Sequence, residues 1–80
     1  MLNVIEAKYV AGHTVWLKFN DGVEGEVDLA NELEGEVFEP LLDVKVFSTV
    51  RLHSEFGTIV WPNGADFAPE FLHERVKIAV

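Results

Sequence analysis

Three stretches in the first part of the chain alternate apolar and polar residues, a pattern typical of half-buried β-strands. They span residues 4–10, 14–19 and 23–29. The residues predicted to face inward are Ile5, Ala7 and Tyr9, then Val15, Leu17 and Phe19, and then Val23, Gly25, Val27 and Leu29. Because only short turns separate these stretches, we expect three consecutive antiparallel strands.

A hairpin signal, Asn20-Asp21-Gly22, separates the second and third stretches. A two-residue loop would pair Phe19 with Glu24 and would place acidic side chains on the apolar face. A three-residue loop keeps both faces consistent, and Gly22 provides the left-handed residue that such a loop needs. We therefore predict the register in which Phe19 pairs with Val23, Lys18 with Glu24, Leu17 with Gly25, Trp16 with Glu26 and Val15 with Val27.

The rest of the chain predicts two further strands and several helical segments. We expect a short helical turn within residues 30–35 and two turns of α- or 3₁₀-helix within residues 39–47. Strands are predicted at residues 49–53 and 58–61, and a final helix at about residues 69–78. We predict that this last helix buries Leu72, Val76 and Ala79 and points His73, Glu74 and Lys77 to water.

These elements predict a single α+β domain over residues 1–80. Its expected architecture is an antiparallel sheet of about five strands, with elements in the order β-β-β-α-β-β-α. Since the strands have one apolar side each, we expect the helices to cover one face of the sheet.

The segment after the last predicted strand combines a strand end, a turn and a helix start. The residues expected to build it are Trp61, Pro62, Asn63, Gly64, Asp66 and Pro69. The first proline has no N–H for a strand ladder, Asn-Gly is a typical turn pair, and the second proline suits the first turn of a helix. We expect a structural corner with Trp61 in the core. The alternative is a small pocket lined by Trp61, Phe67 and the turn residues.

The composition excludes several classes of function. The 80-residue chain has no cysteine, and therefore no disulfide, no zinc ribbon and no thiol nucleophile. It lacks the basic start and apolar run of a signal peptide, and its apolar runs are far shorter than a membrane span. We therefore expect a cytoplasmic protein without membrane association. The small size of an apolar chain without covalent staples also makes a homodimer an open possibility.

The charge of the chain is concentrated in one segment. The net charge is -8, and residues 21–43, called here the acidic segment, contain nine acidic residues and neither lysine nor arginine. A field of this sign repels phosphate groups. We therefore expect no direct binding to nucleic acid or to anionic membranes.

The motifs FNDGVEGEVDL, PLLDVKVF and GTIVWPNGADFAPEFL, in this order and spacing, resemble a bacterial domain-of-unknown-function family, number 2442. The resemblance spans nearly the whole chain and implies an α+β domain with an antiparallel sheet, found alone or ahead of a helix-turn-helix domain. Since the sequence ends at Val80, we expect no such domain here. The resemblance also implies a neighbouring gene for a small basic protein, an arrangement similar to a toxin–antitoxin or regulatory pair. It implies no catalytic residues.

Two groups of side chains are candidates for chemistry. The three histidines, His13, His53 and His73, do not have the spacing of metal ligands, so we expect neither a metal nor a cofactor. Asp66 and Glu70 lie one helical turn apart and could form an acid–base pair or bind a divalent cation. Both positions are also explained by the helix start alone, which is the interpretation we favour.

The candidate binding surface lies on the polar side of the predicted hairpin. Its residues are Trp16, Lys18, Glu24, Glu26 and Asp28. They form either a solvated sheet face or a partner surface in which an aromatic anchor is surrounded by acids. The leading hypothesis is a non-catalytic, acidic module that binds a small basic protein. The alternatives are a small metal-dependent or acid–base enzyme that uses Asp66 and Glu70, and a homodimeric structural domain.

Overall fold

The computed structural model describes residues 1–79, and the side chains of residues 1–76. It is an α+β domain with antiparallel strands, in agreement with the sequence. The described elements are β1 (Val4–Ala11), β2 (Thr14–Phe19), β3 (Glu24–Asp28), 3₁₀ turns at Ala30–Glu32 and Glu39–Leu42, α1 (Val44–Phe47), β4 (Arg51–His53), β5 (Thr58–Val60) and α2 (Pro69–Ala79).

The strands form two sheets, in the orders β1-β2-β3 and β4-β5, instead of the single sheet of about five strands that the sequence predicted. The two sheets meet where the Val4 N–H donates to the Gly57 carbonyl at 2.8 Å. Strands β4 and β5 pair through three residues each, so the second sheet is a short ribbon. Alternation predicts each strand, but it carries no information about which distant strand continues the ladder.

The hairpin of β2 and β3 has the predicted register. Lys18 pairs with Glu24, Leu17 with Gly25, Trp16 with Glu26 and Val15 with Val27. The loop is closed by the Phe19 N–H, which donates to the Val23 carbonyl at 2.8 Å. Gly22 has a φ of 91°, the left-handed conformation expected for a three-residue loop.

Strand β1 corrects one prediction. Ile5, predicted to face inward, is 46% exposed, and Val4 is buried in its place. The pairing with β2 shifts by one residue between Val4 and Glu6, which identifies Ile5 as the extra residue of a β-bulge. Ala7 and Tyr9 pack partly buried against the core, as predicted. The extra residue therefore reversed the facing of Ile5, whereas Ala7 and Tyr9 keep the predicted facing, and a second register shift lies between Tyr9 and Ala11.

Helix α2 covers the inner face of the three-stranded sheet. Leu72 and Val76 are fully buried, as predicted, and they join the core with Val15, Leu17 and Phe19. A Cβ at Gly25 would lie 3.2 Å from Val76 Cγ1, so the glycine allows the helix to lie close to β3. The face that carries Trp16 is therefore the one turned away from the helix.

The exposed face of α2 differs from the prediction at one position. Glu74 is exposed as expected, but His73 is half-buried rather than turned to water. Its ring packs edge-on against Phe19, with 4.9 Å between the ring centroids. The predictions for the side chains of Lys77 and Ala79 lie outside the described residues. Within residues 1–79, no helix has the length and apolar character needed to cross a membrane.

Candidate functional site

The side of the three-stranded sheet away from α2 presents three cross-strand rows of side chains. We call it the outer face. Its rows are Glu6, Lys18 and Glu24; Lys8, Trp16 and Glu26; and Ala11, Thr14 and Asp28. The hairpin register thus brings together all five residues that the sequence proposed for partner binding. The residues of β1 that complete the face were not part of that prediction, because they depend on the pairing of β1 with β2.

Charge on the outer face alternates along the first row. The Lys18 ammonium lies 4.0 Å from a Glu6 carboxylate oxygen and 3.9 Å from one of Glu24. These pairs are solvent-exposed, so each stabilises the fold by at most about 1 kcal/mol. The face carries four carboxylates against two ammonium groups and is therefore net negative.

Trp16 occupies the middle of the outer face. It is half-buried, and the Lys8 ammonium lies 5.5 Å from the centroid of its ring. On its other side it pairs with Glu26, which is exposed. The centre of the face is therefore a flat aromatic surface between one cation and one anion, and it combines apolar area with charge.

Several acids of the acidic segment have structural partners that the sequence did not reveal. The Glu32 carboxylate lies 3.3 Å from the guanidinium of Arg75 on α2. The Asp43 side chain accepts the Lys45 N–H and caps α1. The acids that remain exposed outside the outer face include Glu34 and Glu36. The acidic segment is therefore not one uniform binding surface.

Asp21 joins the hairpin loop to α2. Its carboxylate accepts the Val23 N–H at 3.0 Å, and its second oxygen lies 2.8 Å from His73 Nε2. The hydrogen bond from Val23 is the main cause that lowers the pKa of the Asp21 carboxyl, and the hydrogen bond and charge of His73 lower it further. This contact connects the loop at one end of the sheet to the helix beneath it.

The corner after β5 is closed by side-chain hydrogen bonds. The indole N–H of Trp61, a 2% exposed residue, donates to the Phe47 carbonyl at 2.8 Å. Pro62 is exposed, and Gly64 has a φ of 91° and donates its N–H to the Trp61 carbonyl. The Asn63 amide donates to the Val37 carbonyl at 2.9 Å, a contact between distant segments that turn propensity could not predict.

The carboxylates proposed for acid–base chemistry lie at the start of α2. Asp66 is exposed, and its backbone bridges to Val60. Pro69 is the first residue of the helix, and Glu70 lies in its first turn. His73 pairs with Asp21 rather than with these two acids. Within the part of the chain that the structure describes, no three His, Asp or Glu side chains are placed to hold a metal ion.

The two other histidines lie apart. His13 Nε2 is 2.9 Å from the Leu42 carbonyl oxygen, and the His13 ring packs on Phe47. The His53 ring stacks on Phe56 at 4.0 Å, and its Nδ1 accepts the Phe56 N–H. Beside it is an open cavity of about 410 Å³, unpredicted from the sequence, lined by Arg51, Leu52, His53, Ser54, Glu55 and Val60.

The comparisons with known proteins agree with the family motifs of the sequence. The model of a family described as "Protein of unknown function (DUF2442)" matches residues 4–77. No curated protein and no solved structure matches the chain. The match covers both sheets and most of α2.

Proposed function

The chain belongs to the DUF2442 family of proteins of unknown function, and we propose that it is a small acidic module that binds a basic protein. In this proposal the module is not catalytic, acts in the cytoplasm and forms one half of a toxin–antitoxin-like or regulatory pair. The binding surface is the outer face, with Trp16 at its centre.

The position of Trp16 is the observation that carries the proposal. The core already contains Trp61 and several phenylalanines on the opposite side of the sheet, so folding does not require an aromatic residue on the outer face. Tryptophan is among the residues that contribute most to binding when a partner covers them. A half-buried tryptophan in the middle of a flat, charged face is suited to this role.

The surrounding carboxylates define the chemistry of the partner. Glu24, Glu26 and Asp28 are all exposed on the same edge of the face. Their field attracts a basic surface and speeds its association, and this effect weakens as salt screens the charges. We therefore expect a basic partner whose association rate depends strongly on ionic strength.

The first test is a pull-down from the lysate of the source organism with three immobilised proteins. They are the wild type, Trp16→Ala/Glu26→Lys, and a matched control, Phe56→Ala/Glu74→Lys. The control makes the same types of change at an exposed aromatic residue and an exposed acid away from the outer face. We expect the wild type and the control to retain one small basic protein and the outer-face variant to lose it. All three proteins are first checked for folding by thermal melting.

The second step uses the purified partner. Its association rate should fall by at least about tenfold between about 0.05 M and 0.5 M salt, because steering by exposed charges is screened. Retention of the partner by the outer-face variant, or an association rate that does not respond to salt, would contradict the proposal.

A further inference from the structure

Strand β3 lies at an edge of the three-stranded sheet, since the strand order is β1-β2-β3. The Phe19 N–H donates to the Val23 carbonyl, and the Leu29 N–H donates to the His13 carbonyl. In an antiparallel ladder, alternate residues point their N–H and C=O groups at the partner strand. The odd-numbered residues of β3 therefore bond to β2, and its even-numbered residues point their backbone groups away from the sheet.

The outward-pointing positions of β3 are Glu24, Glu26 and Asp28, and all three are exposed. Within residues 1–79, their backbone N–H and C=O groups form no hydrogen bond to another segment. The Asp28 side chain accepts the Ala30 N–H, but no backbone N–H of another segment within residues 1–79 donates to its carbonyl. Among the described residues, the sheet thus ends in three backbone positions that are unpaired on their outward side, and each of them carries a carboxylate.

The opposite edge of the sheet is different. Strand β1 has register shifts next to Ile5 and Val10, which twist it, and its Val4 N–H is already bonded to Gly57. Bulges and pairing of this kind protect an edge from adding another strand. Strand β3 pairs with β2 through five consecutive residues without a shift, so its free edge is regular.

We propose that the free edge of β3 is a docking edge, at which an extended basic segment of a partner protein adds as a fourth strand. Strand addition supplies affinity through backbone hydrogen bonds, and neighbouring side chains supply specificity. Lysine or arginine at every second position of the added segment would lie beside the three carboxylates. This inference rests on the proposed function, because it specifies how the basic partner is bound.

A second copy of the chain fits this edge poorly. Two β3 strands paired antiparallel about Glu26 would place Glu26 beside Glu26 and Glu24 beside Asp28. Like charges directly opposite each other in a sheet are destabilising. The charge of the edge therefore favours a basic segment over self-association.

The direct test follows hydrogen exchange of the ¹⁵N-labelled protein with a synthetic peptide as the probe. The peptide has about ten residues, alternating lysine and valine, and blocked ends. At saturation, the amides of Glu24, Glu26 and Asp28 should exchange at least about tenfold more slowly, because each would donate to the added strand or be shielded by it. The same peptide N-methylated on its lysines, whose N–H groups would face β3, cannot form the ladder and should bind more weakly.

A pair of variants separates the contribution of the backbone hydrogen bond to peptide binding from that of the carboxylate charge. Glu26→Gln removes only the carboxylate, whereas Glu26→Pro also removes the outward N–H. Proline is tolerated on an edge strand where its N–H would face solvent, and thermal melting checks the fold. We expect the proline variant to bind the peptide at least about fivefold more weakly than the glutamine variant, which corresponds to one backbone hydrogen bond.

The outcomes distinguish the inference from the proposed function. If Trp16→Ala abolishes binding while the proline and glutamine variants bind equally, the outer face binds and the docking edge is refuted. If hydrogen exchange of the Glu24, Glu26 and Asp28 amides slows and the proline variant binds the peptide more weakly than the glutamine variant, the inference holds whether or not Trp16 contributes. Absence of peptide binding at about millimolar concentration, or protection of these amides through self-association without peptide, would overturn the inference.

Discussion

The two tryptophans of the chain differ in burial: Trp61 lies in the core, whereas Trp16 is half-buried on the outer face. We therefore expect them to contribute differently to stability. Trp61→Phe removes the indole N–H, so the Phe47 carbonyl keeps only its 3.1 Å bond from the Val50 N–H. We expect the free energy of unfolding in urea to fall by about 1–2 kcal/mol, from the lost hydrogen bond and packing. The matched control is Trp16→Phe, which should change stability by less than about 0.5 kcal/mol. Equal effects at the two positions would contradict these roles.

At the scale of single residues, the sequence predicted best where one local rule decided the outcome. The left-handed conformation of Gly22 and the inward faces of Val15, Leu17 and Phe19 follow from turn chemistry and alternation. Ile5 was misplaced because a bulge inserts one residue without any change in composition. His73 was misplaced because its partners, Asp21 and Phe19, are about fifty residues away in the chain.

At the scale of elements, the contact between the hairpin loop and α2 predicts a pH dependence. The pKa of the Asp21 carboxyl is lowered in the folded chain, first by the Val23 N–H and then by His73. A group with a lowered pKa stabilises the fold above its unfolded-state pKa of about 3.9. That contribution is lost as pH falls through the lower folded-state value.

The test compares thermal melting of the wild type and Asp21→Asn from neutral to acidic pH. Asparagine keeps an acceptor for the Val23 N–H but removes the charge. We expect the variant to melt lower at neutral pH, and the difference to narrow as pH falls below the unfolded-state pKa of about 3.9 and to close once the carboxyl of the folded chain is also protonated. Glu74→Gln, at an exposed position of α2, the helix that carries His73, is the control. A difference between wild type and Asp21→Asn that persists at low pH would show that the charge is not responsible.

The division of the strands into two sheets could not be predicted from the sequence, because it depends on the pairing of distant strands. The hairpin of β2 and β3 joins consecutive strands, so its loop and its faces determine the register. The junction between β1 and the segment before β5 joins residues more than fifty positions apart through Val4 and Gly57. Alternation is the same whether such strands pair fully or only touch. The part of the outer face that lies on β2 and β3 was therefore predictable, whereas the free edge of β3 needed the strand order.

At the scale of the whole molecule, the acidic segment contains two kinds of acidic residue: those with a partner within the fold and those that remain exposed. Glu32 and Asp43 act within the fold, through Arg75 and the start of α1. Other acids of the segment, among them Glu34 and Glu36, remain exposed, and the segment itself contains no lysine or arginine. Concentrated like charge destabilises the compact state through self-repulsion, a cost that a bound basic partner would remove.

The self-repulsion of the acidic segment predicts how the stability of the free protein responds to salt. Sodium chloride should raise the melting temperature of the free protein between about 0.05 M and 0.5 M, because it screens the repulsion. Glu34→Gln/Glu36→Gln should raise stability at low salt by about 0.5 kcal/mol and reduce the salt response. Glu55→Gln/Glu74→Gln removes two exposed acids outside the acidic segment and should have a smaller effect. If both double variants respond alike, the repulsion arises from the net charge of -8 as a whole and not from the acidic segment.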